Sequence, residues 1–85
     1  MNVSKNTKLR KLHCDYNQLR KLNVGGSVSL EELYCSNNQL TSLDVSKNTV
    51  LKVLICSKNN FSGTELNTLF ETLHDDTDTD NRIFR

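Results

Sequence analysis

The most reactive side chains in this chain are three thiols, Cys14, Cys35 and Cys56, and an imidazole, His13, directly before the first of them. A cysteine beside a histidine is the pairing a nucleophilic mechanism uses, and three thiols could also ligate zinc or form a disulfide. The spacing argues against each of these. Leu12, His13, Cys14 and Asp15 alternate apolar and polar, as a strand does, so His13 and Cys14 point to opposite faces. The three cysteines stand 21 residues apart at one equivalent position, with side chains parallel and not aimed at one another. They read as small packed hydrophobes whose burial makes them inert. No other set of Ser, His and acid has catalytic spacing, so the chain reads as non-enzymatic and implies no cofactor.

A second candidate lies further on. Asp76, Asp78 and Asp80 match the D-x-D-x-D opening of a calcium loop, with Ile83 at the usual apolar position. Asn81 replaces the turn glycine, a substitution Asn tolerates because it can adopt positive φ. The bidentate acid of a complete loop would fall beyond Arg85, which leaves half a site. The other reading is a polar loop joining a helix to a short final strand.

The elements that carry these residues follow from a repeat. Leu9, Leu30 and Leu51 share the cysteines' interval, as do Leu12, Leu33 and Leu54, then Asn17, Asn38 and Asn59, then Leu19, Leu40 and Phe61. Val3, Val24 and Val45 keep it too, and Leu22 matches Leu43. Registers in step mean one small unit, stacked, each copy burying its apolar side against the next. The unit reads LxxLxCxxNxLxxLxV. Its period-two stretch predicts short strands around Leu12–Cys14, Leu33–Cys35 and Leu54–Cys56, set side by side and parallel. The asparagines are placed to bond backbone groups that the following turns leave unpaired. A helical alternative starts from Leu9, Leu12, Tyr16 and Leu19 at heptad spacing, but its next seam positions are Asn23 and Gly26, in a poor helix interior.

The pattern resembles the leucine-rich repeat, whose core motif is LxxLxLxxNxL. The sets Leu9-Leu12-Cys14-Asn17-Leu19, Leu30-Leu33-Cys35-Asn38-Leu40 and Leu51-Leu54-Cys56-Asn59-Phe61 fit it, with Cys in the third apolar slot. The repeat length and the segment LDVSKN at Leu43 to Asn48 look like the short bacterial class found in exported Bacteroides-type proteins. The resemblance covers residues 1 to about 61. It implies an α/β solenoid: a right-handed coil with short parallel strands on the concave face, an irregular or short extended convex side, and a C-terminal capping helix. One departure is Gly25-Gly26, where other copies carry Ser4-Lys5 and Ser46-Lys47; this spot is expected to be looser.

The resemblance also implies binding through the concave strand face, and an extracellular or cell-surface setting. Alternation assigns the outward rows there: Lys11, Glu32 and Val53, then His13, Tyr34 and Ile55, then Asp15, Ser36 and Ser57. Tyr16 begins a flanking row with Asn37 and Lys58. The candidate ligand-binding residues are therefore Lys11, His13, Asp15, Tyr16, Glu32, Tyr34, Ser36, Val53, Ile55 and Ser57. Tyr34 and Tyr16 combine apolar area with a polar tip and are the best anchors. Val53 and Ile55 are apolar in a polar surface, which fits a contact, plain strand propensity, or cover by the C-terminal segment. Three short strands offer about 250 Å², against about 800 Å² per partner in a stable interface. Tight binding therefore calls for a longer array.

The units divide as a partial copy at 1–8, full copies at 9–29 and 30–50, and the start of a last copy at 51–61. Residues 62–85 form a C-terminal cap: a helix over about 63–74, an acidic loop, and a short strand over about 82–85. Ser62 and Glu65 have capping-box spacing, and Leu66, Leu69, Phe70 and Leu73 make one apolar stripe expected to cover the last unit. Because the chain opens inside a unit, a longer parent array is expected, and its open first edge suggests self-association.

Charge excludes some partners. Lys and Arg number 11 against 10 Asp and Glu, a net charge of +1 that gives no field favouring nucleic acid. The basic cluster Lys8, Arg10, Lys11, Arg20 and Lys21 lacks the aromatics of a single-strand binder. No apolar run is long enough for a membrane span, and MNVSKNTK is not a secretory signal. Two functions remain: a recognition module contacting a protein or glycan, and a structural spacer in a longer solenoid.

Overall fold

The computed structural model describes residues 1–73 and the backbone of 83–84. Three strands repeat at the sequence interval: β1 (Lys11–His13), β2 (Glu32–Tyr34) and β3 (Val53–Ile55). They are followed by α1 (Gly63–Leu73) and β4 (Ile83–Phe84). All pair in parallel, in the order β1-β2-β3-β4. Register follows the repeat, with Leu12 opposite Leu33 and Leu33 opposite Leu54. The fold is solenoid-like, a small parallel sheet built from equivalent segments of successive units. Sequential parallel order follows from each connection carrying the chain back to start the next strand beside the last.

Each return uses two consecutive turns. In the second unit Ser27 N–H bonds Val24 O (3.0 Å) and Leu30 N–H bonds Ser27 O (3.1 Å). Asn6 and Asn48 repeat the arrangement in the neighbouring units. The pairs Val24/Leu30 and Val45/Leu51 that bracket these turns are buried and join one core with Leu33, Leu54, Leu40 and Cys35. Each fully buried leucine contributes about 1.5–3 kcal/mol, which supports units too small to hold a core of their own.

Polar side chains tie the layers together. Asn38 Nδ2 donates to Cys35 O within its own unit and to Cys14 O in the preceding one. Asn59 repeats this with Cys56 O and Cys35 O. A second set lies at the turns: Ser27 Oγ donates to Val3 O at 2.7 Å, and Asn48 Nδ2 to Val24 O at 2.9 Å.

Gly26 has a packing reason, because a Cβ there would overlap the Ser4 carbonyl oxygen of the adjoining unit. One expectation needs correction. Of the helical stripe, Leu69 enters the core at 4% exposure, but Leu66 remains 37% exposed. Leu66 sits in the first turn, just past the Ser62 cap, before the helix has passed over the core. Of the capping box, Glu65 N–H donates to Ser62 Oγ at 3.2 Å. The side chains of Phe70 and Leu73 lie outside the described residues.

Candidate functional site on the strand face

Parallel register brings the predicted rows together across β1, β2 and β3. Lys11, Glu32 and Val53 stand in line, and so do His13, Tyr34 and Ile55. Between them lie Leu12, Leu33 and Leu54, of which the last two are fully buried. This alternation separates His13, which is exposed, from Cys14, which is 3% exposed.

The outward residues interact with one another. The His13 and Tyr34 rings stack with centroids 4.2 Å apart and planes 9° from parallel. Tyr34 donates its hydroxyl to Glu32 Oε1 at 2.7 Å, and Lys11 Nζ lies 3.4 Å from Glu32 Oε2. The Tyr34 hydrogen bond, helped by Lys11, holds the Glu32 carboxyl below its usual range, and the same bond pushes the Tyr34 phenol up. Tyr34 therefore offers a ring face, with its hydroxyl already engaged. Val53 and Ile55 are half-buried, and β4 backbone pairs alongside Val53 and Leu54.

The third row departs from expectation. Ser36, read as an outward ligand contact, is only 7% exposed. Its N–H donates to Asp15 Oδ1 at 2.7 Å, and its hydroxyl lies 3.2 Å from Ser57 Oγ. The reason is its place in the middle unit: Asp15 on one side and Ser57 on the other bond and cover Ser36. Asp15 is consequently committed to backbone, while Ser57 stays exposed.

The flanking row carries a feature that the residue types concealed. Tyr16, Asn37 and Lys58 have φ of 58°, 58° and 57°, the left-handed region that side chains other than Gly and Asn rarely adopt. The turn demands it, because it carries the chain from the strand to the asparagine clamp while Tyr16 N–H bonds Ser36 O and Asn37 N–H bonds Ser57 O. Tyr16 is 81% exposed and free to touch a partner, on a strained backbone. Only Asn37 signals this conformation by its type.

An ion ladder was also missed. Arg10 Nε meets Glu31 Oε2 at 2.7 Å, and Lys52 Nζ lies 3.6 Å from Glu31 Oε1. The signal was present, since positions 10, 31 and 52 alternate in sign at the repeat interval. Bonding to Arg10 lowers the Glu31 carboxyl and raises the guanidinium.

The thiols are all free and buried. Burial pushes each upward, Cys56 to about 11 and Cys35 further. Such thiols are poor nucleophiles and poor metal ligands at neutral pH. Among the described residues no group of three or more His, Cys, Asp or Glu is placed to hold a metal. The calcium candidates Asp76, Asp78 and Asp80 lie outside the described residues.

The geometry agrees with comparison to known families. The Leucine Rich Repeat family model matches residues 29–48, the stretch containing β2 and its asparagine clamp. The match supports a leucine-rich repeat protein, a class whose repeats generally mediate protein–protein interaction and are generally non-catalytic. No curated protein and no solved structure shows significant similarity to the chain. No helix among the described residues is long and apolar enough to cross a membrane.

Proposed function

We propose that the chain is a recognition module that binds a protein or glycan through its strand face. The stacked His13–Tyr34 pair carries this reading: two flat rings lie together on the outward side, beside an oriented Lys11–Glu32 pair and half-buried Ile55. Such a platform combines apolar contact area with little rotamer freedom to lose, the character of an interface anchor. Lys11, His13, Tyr16, Glu32, Tyr34, Val53, Ile55 and Ser57 form the contact set, with Asp15 accepting the Ser36 N–H alongside. The 21-residue unit supports membership of a larger bacterial array of the Bacteroides type, exported to the cell surface or secreted. There the missing contact area would come from neighbouring repeats and, at the β1 edge, from a second copy.

The competing reading is a spacer within a longer solenoid. It is favoured by the polar groups of the face that bond one another, as Glu32 does with both Tyr34 and Lys11. Arrays of host-surface proteins and glycans, probed with the chain and with Tyr34→Ala and Ile55→Ser, separate the two. Recognition requires a hit lost in both variants while the melting temperature barely moves. No hit favours the spacer, and a hit that both variants retain places binding outside the strand face and overturns this site.

A further inference from the structure

A groove of about 660 Å³ opens between residues 20–25 and 41–47, and no strand residue lines it. Asn2 and Asn23 form a parallel bridge, with Asn23 N–H bonded to Met1 O at 2.9 Å. Among the described residues no such bond joins Asn23 to its counterpart Asp44. Leu22 and Leu43, 8% and 9% exposed, supply apolar wall.

The charge of this groove differs from that of the strand face. Arg10, Lys11 and Lys52 are all paired to Glu31 or Glu32. Arg20, Lys21 and Lys47, which line the groove, have no salt bridge among the described residues. Arg20 makes one long bond, Nε to Gln39 Oε1 at 3.5 Å. The single carboxylate of the lining, Asp44, accepts the Ser46 N–H at 2.9 Å. Three side-chain cations against one carboxylate leave two positive charges uncompensated over an apolar wall, with Thr41 and Ser42 hydroxyls alongside and the Met1 ammonium bonded to Lys21 O at 3.1 Å.

We infer that this groove is a second binding site, for a small ligand carrying two anionic groups on a hydroxyl-bearing frame, the chemistry of a sulfated or uronic disaccharide. The volume suits a small molecule and is too little for a folded partner. Arg20 offers a planar fork to a sulfate or carboxylate, and Lys21 and Lys47 act as point charges. Thr41 and Ser42 take sugar hydroxyls, and Leu22 and Leu43 meet the C–H face of the ring. The site is independent of the strand face.

NMR titration of the whole chain tests the inference, with a disulfated heparin-type disaccharide, neutral maltose and an acidic tetrapeptide as probes. The disaccharide should shift amides of residues 20–25 and 41–47 saturably, and maltose should not. Arg20→Gln with Lys47→Gln should weaken it about tenfold or more. Asp44→Asn, which keeps the Ser46 bond and removes the opposing charge, should tighten it. Lys5→Gln with Lys8→Gln, and separately Tyr34→Ala, should leave it unchanged. No saturable binding, tighter binding of the tetrapeptide, or equal loss in the Lys5/Lys8 control would overturn the assignment. If the Arg20/Lys47 variant does not fold, the Asp44→Asn result decides.

Discussion

The side-chain amide of Asn38 donates to the Cys14 carbonyl oxygen across 3.0 Å, one unit back along the chain. The same amide donates to Cys35 O at 3.1 Å and to Ser36 O at 3.2 Å, and its Oδ1 accepts the Leu19 N–H at 3.1 Å. One buried side chain thus bonds backbone groups of two adjoining units at once.

Removing that amide should therefore cost far more than an exposed polar group does. Asn38→Ala is expected to destabilise by about 3 kcal/mol, because the Leu19 N–H loses its acceptor and three carbonyls each lose one of two donors, Cys14 O and Cys35 O keeping only Asn17 and Asn59. Asn17→Ala should cost about 1 kcal/mol, since exposed Asn17 bonds only Cys14 O and Asp15 O of its own unit. Urea denaturation of both variants checks the ranking, and equal losses would refute the clamp.

The left-handed backbone at Tyr16 should be relieved by Asn, which its counterpart Asn37 already is. Tyr16→Asn is expected to raise stability by about 1 kcal/mol, and Lys58→Asn to do the same. If Tyr16 also anchors a ligand, the first variant gains stability while losing affinity. Denaturation midpoints together with the binding assay separate the two effects.

The buried thiols make stability fall in alkali. A thiol whose folded value lies above its ordinary value of 9.0 keeps its proton in the folded state while the unfolded chain loses it. Its contribution is complete below pH 9 and is lost as pH rises; for Cys56 the loss runs to about pH 11. Each thiol in that window contributes a slope of about 1.4 kcal/mol per pH unit. Denaturation at pH 8, 9.5 and 10.5 measures it, and Cys56→Ala should flatten the curve. A thiol reagent at pH 8 should label the folded chain slowly and the unfolded chain quickly.

Gly26 and Gly63 should respond oppositely to a methyl group. Gly26→Ala drives a Cβ into the Ser4 carbonyl and is expected to cost about 2 kcal/mol or more. Gly63, with open space around its Cβ position at the start of α1, should gain about 0.5 kcal/mol as Ala. Thermal melts of the two variants test the contrast.

Much of this was legible from particular residues. Leu33 and Leu54 could be placed inside, and Tyr34 and Ile55 outside, from alternation alone. The equivalence of Cys14, Cys35 and Cys56 announced a shared interior column. Other features were not legible, since Ser36 and Ser57 have the same type and register yet only the first is buried. What differs is the neighbour on each side, which residue type does not encode.

The sequence by itself determined which residues are equivalent and which face the core, because a fixed interval and a period of two leave no other consistent burial. Only the tertiary structure decided the left-handed backbone at Tyr16, the close approach at Gly26 and the groove beside Leu22 and Leu43. These depend on how near one unit's backbone comes to the next. That distance arises from packing between units, and no single unit carries it.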